Sequence, residues 1–154
     1  MKQKKILFVC LGNICRSPAA EGIFKYLTKD SKEFHVESRG TSAFHVGSKP
    51  SKNMLEVAEK YNIKLDSFSA PFKDCDFEDF DYIFAADSSV LENLKKSTLE
   101  EDLKKKLHLY TAFSKLYKNE DILDPYYGTK EDYKKVFNLL LEILEELKQY
   151  LLTK

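Results

Sequence analysis

Ile6-Leu7-Phe8-Val9-Cys10-Leu11-Gly12-Asn13-Ile14-Cys15-Arg16-Ser17-Pro18 runs from four unbroken apolar residues, through a turn containing glycine and asparagine, to an arginine, a serine and a proline. The apolar run predicts a buried strand over residues 4 to 9, and the proline near a first helical position predicts a helix over 18 to 29. The segment between them is therefore a loop joining a strand to a helix N-terminus. There the first N–H groups of the helix lack partners and the dipole is positive, so an anion is stabilised, and Arg16 adds a planar two-pronged contact suited to phosphate oxygens. The same field favours thiolate over thiol, which makes Cys10 a candidate nucleophile. A lone cysteine after a strand is usually a small buried hydrophobe. Six specified positions together, Cys10, Gly12, Asn13, Cys15, Arg16 and Ser17, are not accounted for that way. A nucleotide-binding loop would need a Gly-Lys-Ser/Thr ending, which is absent.

Strand and helix patterns alternate outward from this loop. Phe34 to Ser38 predicts a second strand, a helix begins near Pro50 with Met54, Val57, Ala58 and Tyr61 on one face, and Tyr82 to Ala85 predicts a third strand. Asp87 and Ser88 can cap a helix carrying Val90, Leu91 and Leu94, and Leu107 to Leu109 predicts a fourth strand. The last helix is the clearest, with Tyr133, Val136, Phe137, Leu140, Ile143, Leu144, Leu147 and Leu151 at helical spacing. The expectation is an α/β fold: one domain over residues 1–154, a four-stranded parallel sheet with helices on both faces, and a phosphate-binding loop after strand one. Ligands bind beyond the carboxyl ends of such strands, where the Cys10 loop lies.

Composition narrows the partners. The 25 basic and 25 acidic residues cancel, which argues against nucleic acid or an anionic membrane as the main partner. The interleaved Lys95 to Lys106 region is expected to be a solvated face. No apolar stretch approaches the roughly 20 residues of a membrane span. Three cysteines, an odd number in a chain that can fold without staples, suggest a reducing compartment, with cytoplasm the default. His35, His45 and His108 form no ligand cluster, and no metal or cofactor is expected.

The chain resembles the low-molecular-weight protein tyrosine phosphatases. Their signature of Cys, five residues, Arg, then Ser or Thr is met by Cys10 to Ser17, and their Asp-Pro pair near the C-terminus by Asp124-Pro125-Tyr126-Tyr127-Gly128. Val46-Gly47, the segment Phe80 to Asp87 and the overall length extend the likeness over the chain. The resemblance implies an enzyme that hydrolyses phosphotyrosine in proteins through a cysteinyl-phosphate and releases inorganic phosphate; a monomer is expected. In it Cys10 is the nucleophile, Arg16 the phosphate clamp and Asp124 the general acid, aimed by Pro125, which holds the preceding backbone extended. The loop residues Leu11, Gly12, Asn13, Ile14, Cys15 and Ser17 would bind the phosphoryl group, with Ser17 also assisting the thiolate or capping the helix, and Asn13 shaping the loop from a left-handed backbone. Phe44, Tyr126 and Tyr127 would wall in a phenyl ring. Cys15 would trap an oxidised Cys10 as a disulfide.

Two positions depart from the family pattern. Ser67-Phe68-Ser69-Ala70 stands where a His followed by Ala-Arg or Ser-Arg is usual, so Asp87 is expected to find Ser67 or water. Arg39 replaces a small residue between Ser38 and Gly40. Three rival functions are weaker. A thiol-dependent arsenate reductase needs further cysteines, and only Cys75 lies outside the loop; the arginine phosphatases carry Thr where Ile14 stands; a silent phosphotyrosine-binding module has no need of an acid.

Overall fold

The apolar run at the start of the chain is buried on both sides because it is a central strand. In the computed structural model, which describes residues 2–154, β1 (Lys4–Cys10), β2 (Phe34–Gly40), β3 (Tyr82–Ala85) and β4 (Leu107–Leu109) form one parallel sheet in the order β2-β1-β3-β4. Ile6, Phe8 and Cys10 face a core shared with α1 (Arg16–Leu27), α2 (Lys52–Lys60) and the long C-terminal helix. Leu7 and Val9 face a second core with α3 (Asp74–Asp79) and α4 (Ser88–Lys96). With both faces covered, alternation disappears from the sequence. Phe8 is fully buried against Phe24, Phe84 and Tyr110, with ring centroids 5.3 to 5.9 Å away; truncating it to alanine is expected to cost about 3–5 kcal/mol.

A short helix, α5 (Glu101–Lys104), precedes β4, and α6 (Lys130–Leu152) closes the chain. All eight residues on the predicted face of α6 are buried. Its start is a reciprocal cap: Thr129 Oγ1 accepts from the Asp132 N–H at 3.2 Å and the Asp132 carboxylate accepts from the Thr129 N–H at 2.9 Å. The Lys95–Lys106 stretch makes local ion pairs, Lys104–Glu101 and Lys105–Asp102, at 3.4 and 3.5 Å, as a solvated face does.

Several boundaries differ from the sequence expectation. The first helix begins at Arg16 rather than Pro18, since Ala19 N–H already donates to Cys15 C=O; Pro18 still falls in the first turn, where its missing N–H has no intrahelical partner to lose. β2 runs two residues beyond Ser38, carried on by pairing with β1 to the Cys10–Gly40 register. Tyr61 lies just past α2, where its ring stacks on Phe137 at 5.1 Å. The helices α3 and α5 carry too few residues to show a period.

The strand order positions the site. From β1 the chain goes first to β2 on one side and then to β3 on the other, so the connections after β1 and β3 leave in opposite directions and open a crevice at their carboxyl ends. Cys10 ends β1, Asp87 follows β3 by two residues, and Gly40 ends β2 level with Cys10. A side chain at position 40 would come within 2.9 Å of Leu11 C=O and 3.1 Å of the Asn13 N–H, so only glycine lets the loop pack this closely.

Candidate active site

The loop is held from outside by its carbonyls. Cys10 C=O accepts from Thr41 N–H and Leu11 C=O from Ser42 N–H, both at 2.9 Å; Gly12 C=O accepts from the Ser69 hydroxyl at 3.0 Å and Ile14 C=O from Ser51 N–H at 2.8 Å. In a planar trans peptide the C=O and the following N–H point in opposite directions, so anchoring these carbonyls turns the amides away from their partners. The clearest result is Asn13 N–H, which donates to Cys10 Sγ at 3.3 Å. Asn13 itself has φ 56°, the left-handed backbone expected of it. Its Oδ1 accepts from Ala70 N–H, and its Nδ2 donates to Ser17 Oγ at 2.6 Å. Ser17 is the second residue of α1 and does not cap it; its hydroxyl lies 3.0 Å from Cys10 Sγ.

Arg16 is 2% exposed, although its side chain carries a full charge. Nη1 donates to Asp87 at 2.7 Å and to Ile122 C=O at 2.9 Å, and Nη2 stands 3.5 Å from the Asp124 carboxylate. Burial opposes the charge, but Cys10, Asp87 and Asp124 outweigh it and raise the guanidinium above its ordinary range. Asp87 shows the converse: burial works against its carboxylate, yet hydrogen bonds from Arg16 and the Val90 N–H hold it below the usual 3.8. Of the partners expected for Asp87, Ser67 is thus corrected: the carboxylate pairs with Arg16 instead. It caps α4, as predicted, and its other oxygen accepts from Arg16, because the segment after β3 emerges at the same carboxyl end of the sheet as the start of α1. Within the Ser67–Ala70 stretch it is Ser69 and Ala70 that support the loop, through Gly12 C=O and Asn13 Oδ1. Arg39 is accommodated by turning outward to Glu37 at 2.9 Å, Asp76 at 3.4 Å and the Phe80 ring.

A cavity of about 320 Å³ opens over the loop. Cys10, Leu11, Gly12, Ile14, Cys15 and Arg16 line it on one side, and Phe44, Asp124, Tyr126 and Tyr127 on the other. Asn13 and Ser17 lie behind this lining, buried beneath the loop. Ser42 and His45 also line it and were not anticipated; His45 joins the aromatic wall, 4.9 Å from Phe44 and 5.7 Å from Tyr126. Its place beside Phe44 was the available signal. Phe44 and Tyr127 are 85% and 96% exposed, so the mouth offers apolar surface that nothing among the described residues covers. Asp124 accepts from Tyr126 N–H at 3.1 Å, an Asx turn that points the carboxylate back towards Arg16.

Cys15 sits in the floor with Ser51 Oγ at 3.6 Å and Tyr133 Oη at 3.7 Å. Burial pushes its thiol up, and burial together with the Cys15 contact lifts the Tyr133 phenol to about 12, so both stay protonated at neutral pH. Among the described residues the one close group of metal-type donors is Cys75, Asp76 and Asp79, on α3 and outside this cavity.

Comparison with known proteins gives a consistent answer. The family described as low molecular weight phosphotyrosine protein phosphatase matches residues 5–154. A relative of that name from Gallus gallus is 38% identical over 138 residues, covering 87% of each chain. A protein tyrosine phosphatase structure from Entamoeba histolytica superposes with a TM-score of 0.91 at 35% identity over 97% of each chain. A Drosophila arginine phosphatase superposes with a TM-score of 0.87 at 31% identity, also over 97% of each. With a match over nearly its whole length and the loop, arginine and Asp-Pro segment gathered around one cavity, this chain belongs to the low molecular weight phosphotyrosine protein phosphatase family.

Proposed function

We propose that residues 1–154 form one phosphatase domain that hydrolyses phosphotyrosine in proteins, and aryl phosphates generally, without a metal. The observation that carries this reading is the state of Arg16. It lines the cavity beside Cys10, and its buried Nε–H has no acceptor among the described residues. An unsatisfied buried donor costs about 1–3 kcal/mol, and a phosphoryl oxygen would satisfy it while meeting the loop amides.

The Cys10 thiolate attacks phosphorus as the ester oxygen departs, and Asp124 gives that oxygen its proton. The guanidinium and loop N–H groups stabilise charge on the equatorial oxygens, already in place and largely dry. Water then attacks the cysteinyl-phosphate with Asp124 accepting its proton, and phosphate and thiolate are released. Ser17, whose hydroxyl lies 3.0 Å from Cys10 Sγ, donates to the departing sulfur in this reading. Ile14 gives the wall an apolar side chain, which suits an aryl ester.

Purified protein is expected to hydrolyse p-nitrophenyl phosphate and a phosphotyrosyl peptide equally well with and without EDTA, and to leave a phosphoarginyl substrate largely untouched. Loss with EDTA that added metal restores, or preference for phosphoarginine, would overturn the assignment. The protein is read as a cytoplasmic monomer acting on tyrosine-phosphorylated proteins. No helix among the described residues is long and apolar enough to cross a membrane.

Oxidation supplies a second test. Peroxide converts the Cys10 thiolate to a sulfenic acid, and the Cys15 thiol, lining the same cavity, attacks that sulfur, expels water and leaves a disulfide that thiols reduce. Wild type should recover after peroxide and dithiothreitol, and phosphate should protect it. Cys15→Ser should not recover; equal recovery would remove this role.

A further inference from the structure

A continuous chain of buried hydrogen bonds leads from the candidate nucleophile to a carboxylate that does not line the cavity. Cys10 Sγ meets Ser17 Oγ at 3.0 Å, Ser17 meets Asn13 Nδ2 at 2.6 Å, Asn13 Nδ2 meets Ser38 Oγ at 3.0 Å, and Ser38 meets Glu21 Oε1 at 2.6 Å. Every member is at most 6% exposed. The far carboxylate oxygen of Glu21 takes Lys25 Nζ at 2.6 Å, one helical turn on and at the surface. These residues come from the loop, α1 and β2, so no sequence window contains the chain.

The direction of each bond follows from the groups at its ends. An ionised carboxylate only accepts, so Ser38 must spend its single proton on Glu21 and can only accept from Asn13. Asn13 cannot turn its amide round, because Oδ1 is held by Ala70 N–H. Both Nδ2 protons are thus directed outward, one to Ser38 and one to Ser17. Ser17, already accepting, is left as a donor, with Cys10 Sγ at 3.0 Å as its nearer acceptor and Arg39 C=O at 3.4 Å as the other.

We infer that Glu21 is a positioning residue for the nucleophile: acting through Ser38, Asn13 and Ser17, it polarises the chain so that the last proton is presented to the Cys10 thiolate. The inference rests on the assignment of Cys10 in the proposed function. Hydrogen bonds to a charged group are the strong ones, and in a dry site one fixed donor favours the thiolate as attacking and as leaving group. Lys25 pairs the carboxylate from the surface side.

The geometry makes an unusual prediction for Glu21→Gln. Lys25 will draw the amide oxygen of the new residue, which turns its NH₂ towards Ser38. Ser38 then accepts from both sides and its proton has nowhere to go but towards the Asn13 NH₂, a donor facing a donor. Combining Glu21→Gln with Lys25→Met lets the amide rotate, present its oxygen to Ser38 and restore the direction.

The test measures kcat and KM on p-nitrophenyl phosphate, the pH profile of inactivation by iodoacetamide, and thermal unfolding, for Glu21→Gln, Ser38→Ala, the double variant and Cys10→Ser. Glu21→Gln and Ser38→Ala should lower kcat roughly tenfold and move the inactivation profile about one pH unit upward, with KM within about twofold. The double variant should regain most of both. If unfolding shifts while kcat and the profile stay at wild type, or if the double variant is no better than Glu21→Gln, the positioning role is wrong. Should Cys10→Ser remain active and alkylated at the wild-type rate, the nucleophile assignment itself fails, and the two failures are told apart.

Discussion

The floor and the mouth of the cavity are built on opposite principles. The floor is polar and closed: Arg16, Asn13, Ser17 and Ser38 are buried, with side-chain partners fixed on the protein side. The mouth is apolar and open: Phe44 and Tyr127 stand largely in solvent, edge-on to His45 and Tyr126 respectively and covered by no other described residue. A polar group out of water is worth much only when its geometry is fixed, whereas an exposed ring gains free energy only when something covers it. The floor is therefore suited to the phosphoryl group, the same in every substrate, and the mouth to the part that varies between substrates.

Variants can break that division, starting with the most severe. Cys10→Ser should abolish turnover with the fold intact, since an alcohol there has no base within reach; activity near wild type in a phosphate-release assay would end the covalent mechanism. Asp124→Ala should lower kcat by roughly 10²- to 10⁴-fold for a phosphotyrosyl substrate and much less for p-nitrophenyl phosphate, whose leaving group needs no proton. If both slow equally, Asp124 orders its loop without donating.

Asp87→Asn probes the floor through stability. The folded-state pKa of Asp87 lies below its ordinary 3.8, so its pairing with Arg16 contributes stability above pH 3.8 and loses it as pH falls through the folded value. The variant should be less stable at pH 7 by about 1–3 kcal/mol, and its denaturation curves should lose less stability than wild type on acidification below pH 3.8. Identical acid profiles would show that another pair sets this limb.

The mildest changes belong to the mouth. Phe44→Ala and Tyr127→Ala should each raise KM for a phosphotyrosyl peptide about two- to tenfold with kcat and stability little altered, the range expected for one aromatic contact. A fall in kcat at unchanged KM would mean that the mouth shapes the reacting geometry and that the contrast with the floor is misplaced.

What the sequence by itself determined is whatever is contiguous. The strand, loop and helix start around Cys10 lie within a dozen residues, so their chemistry is legible without a fold, and the 23 residues of α6 show their buried face by period alone. The short helices α3 and α5 escaped because six and four residues complete too few turns to display one. Only the tertiary structure decided who stands behind the loop. Asp87 reaches Arg16 from 71 positions away, Ser69 reaches Gly12 from 57, and Ser38 joins Asn13 to Glu21 across β2 and α1. Serine and aspartate are common surface residues, and their types gave no sign of these roles. Each acquires its role from burial, which removes water as an alternative partner and leaves one donor or acceptor within reach.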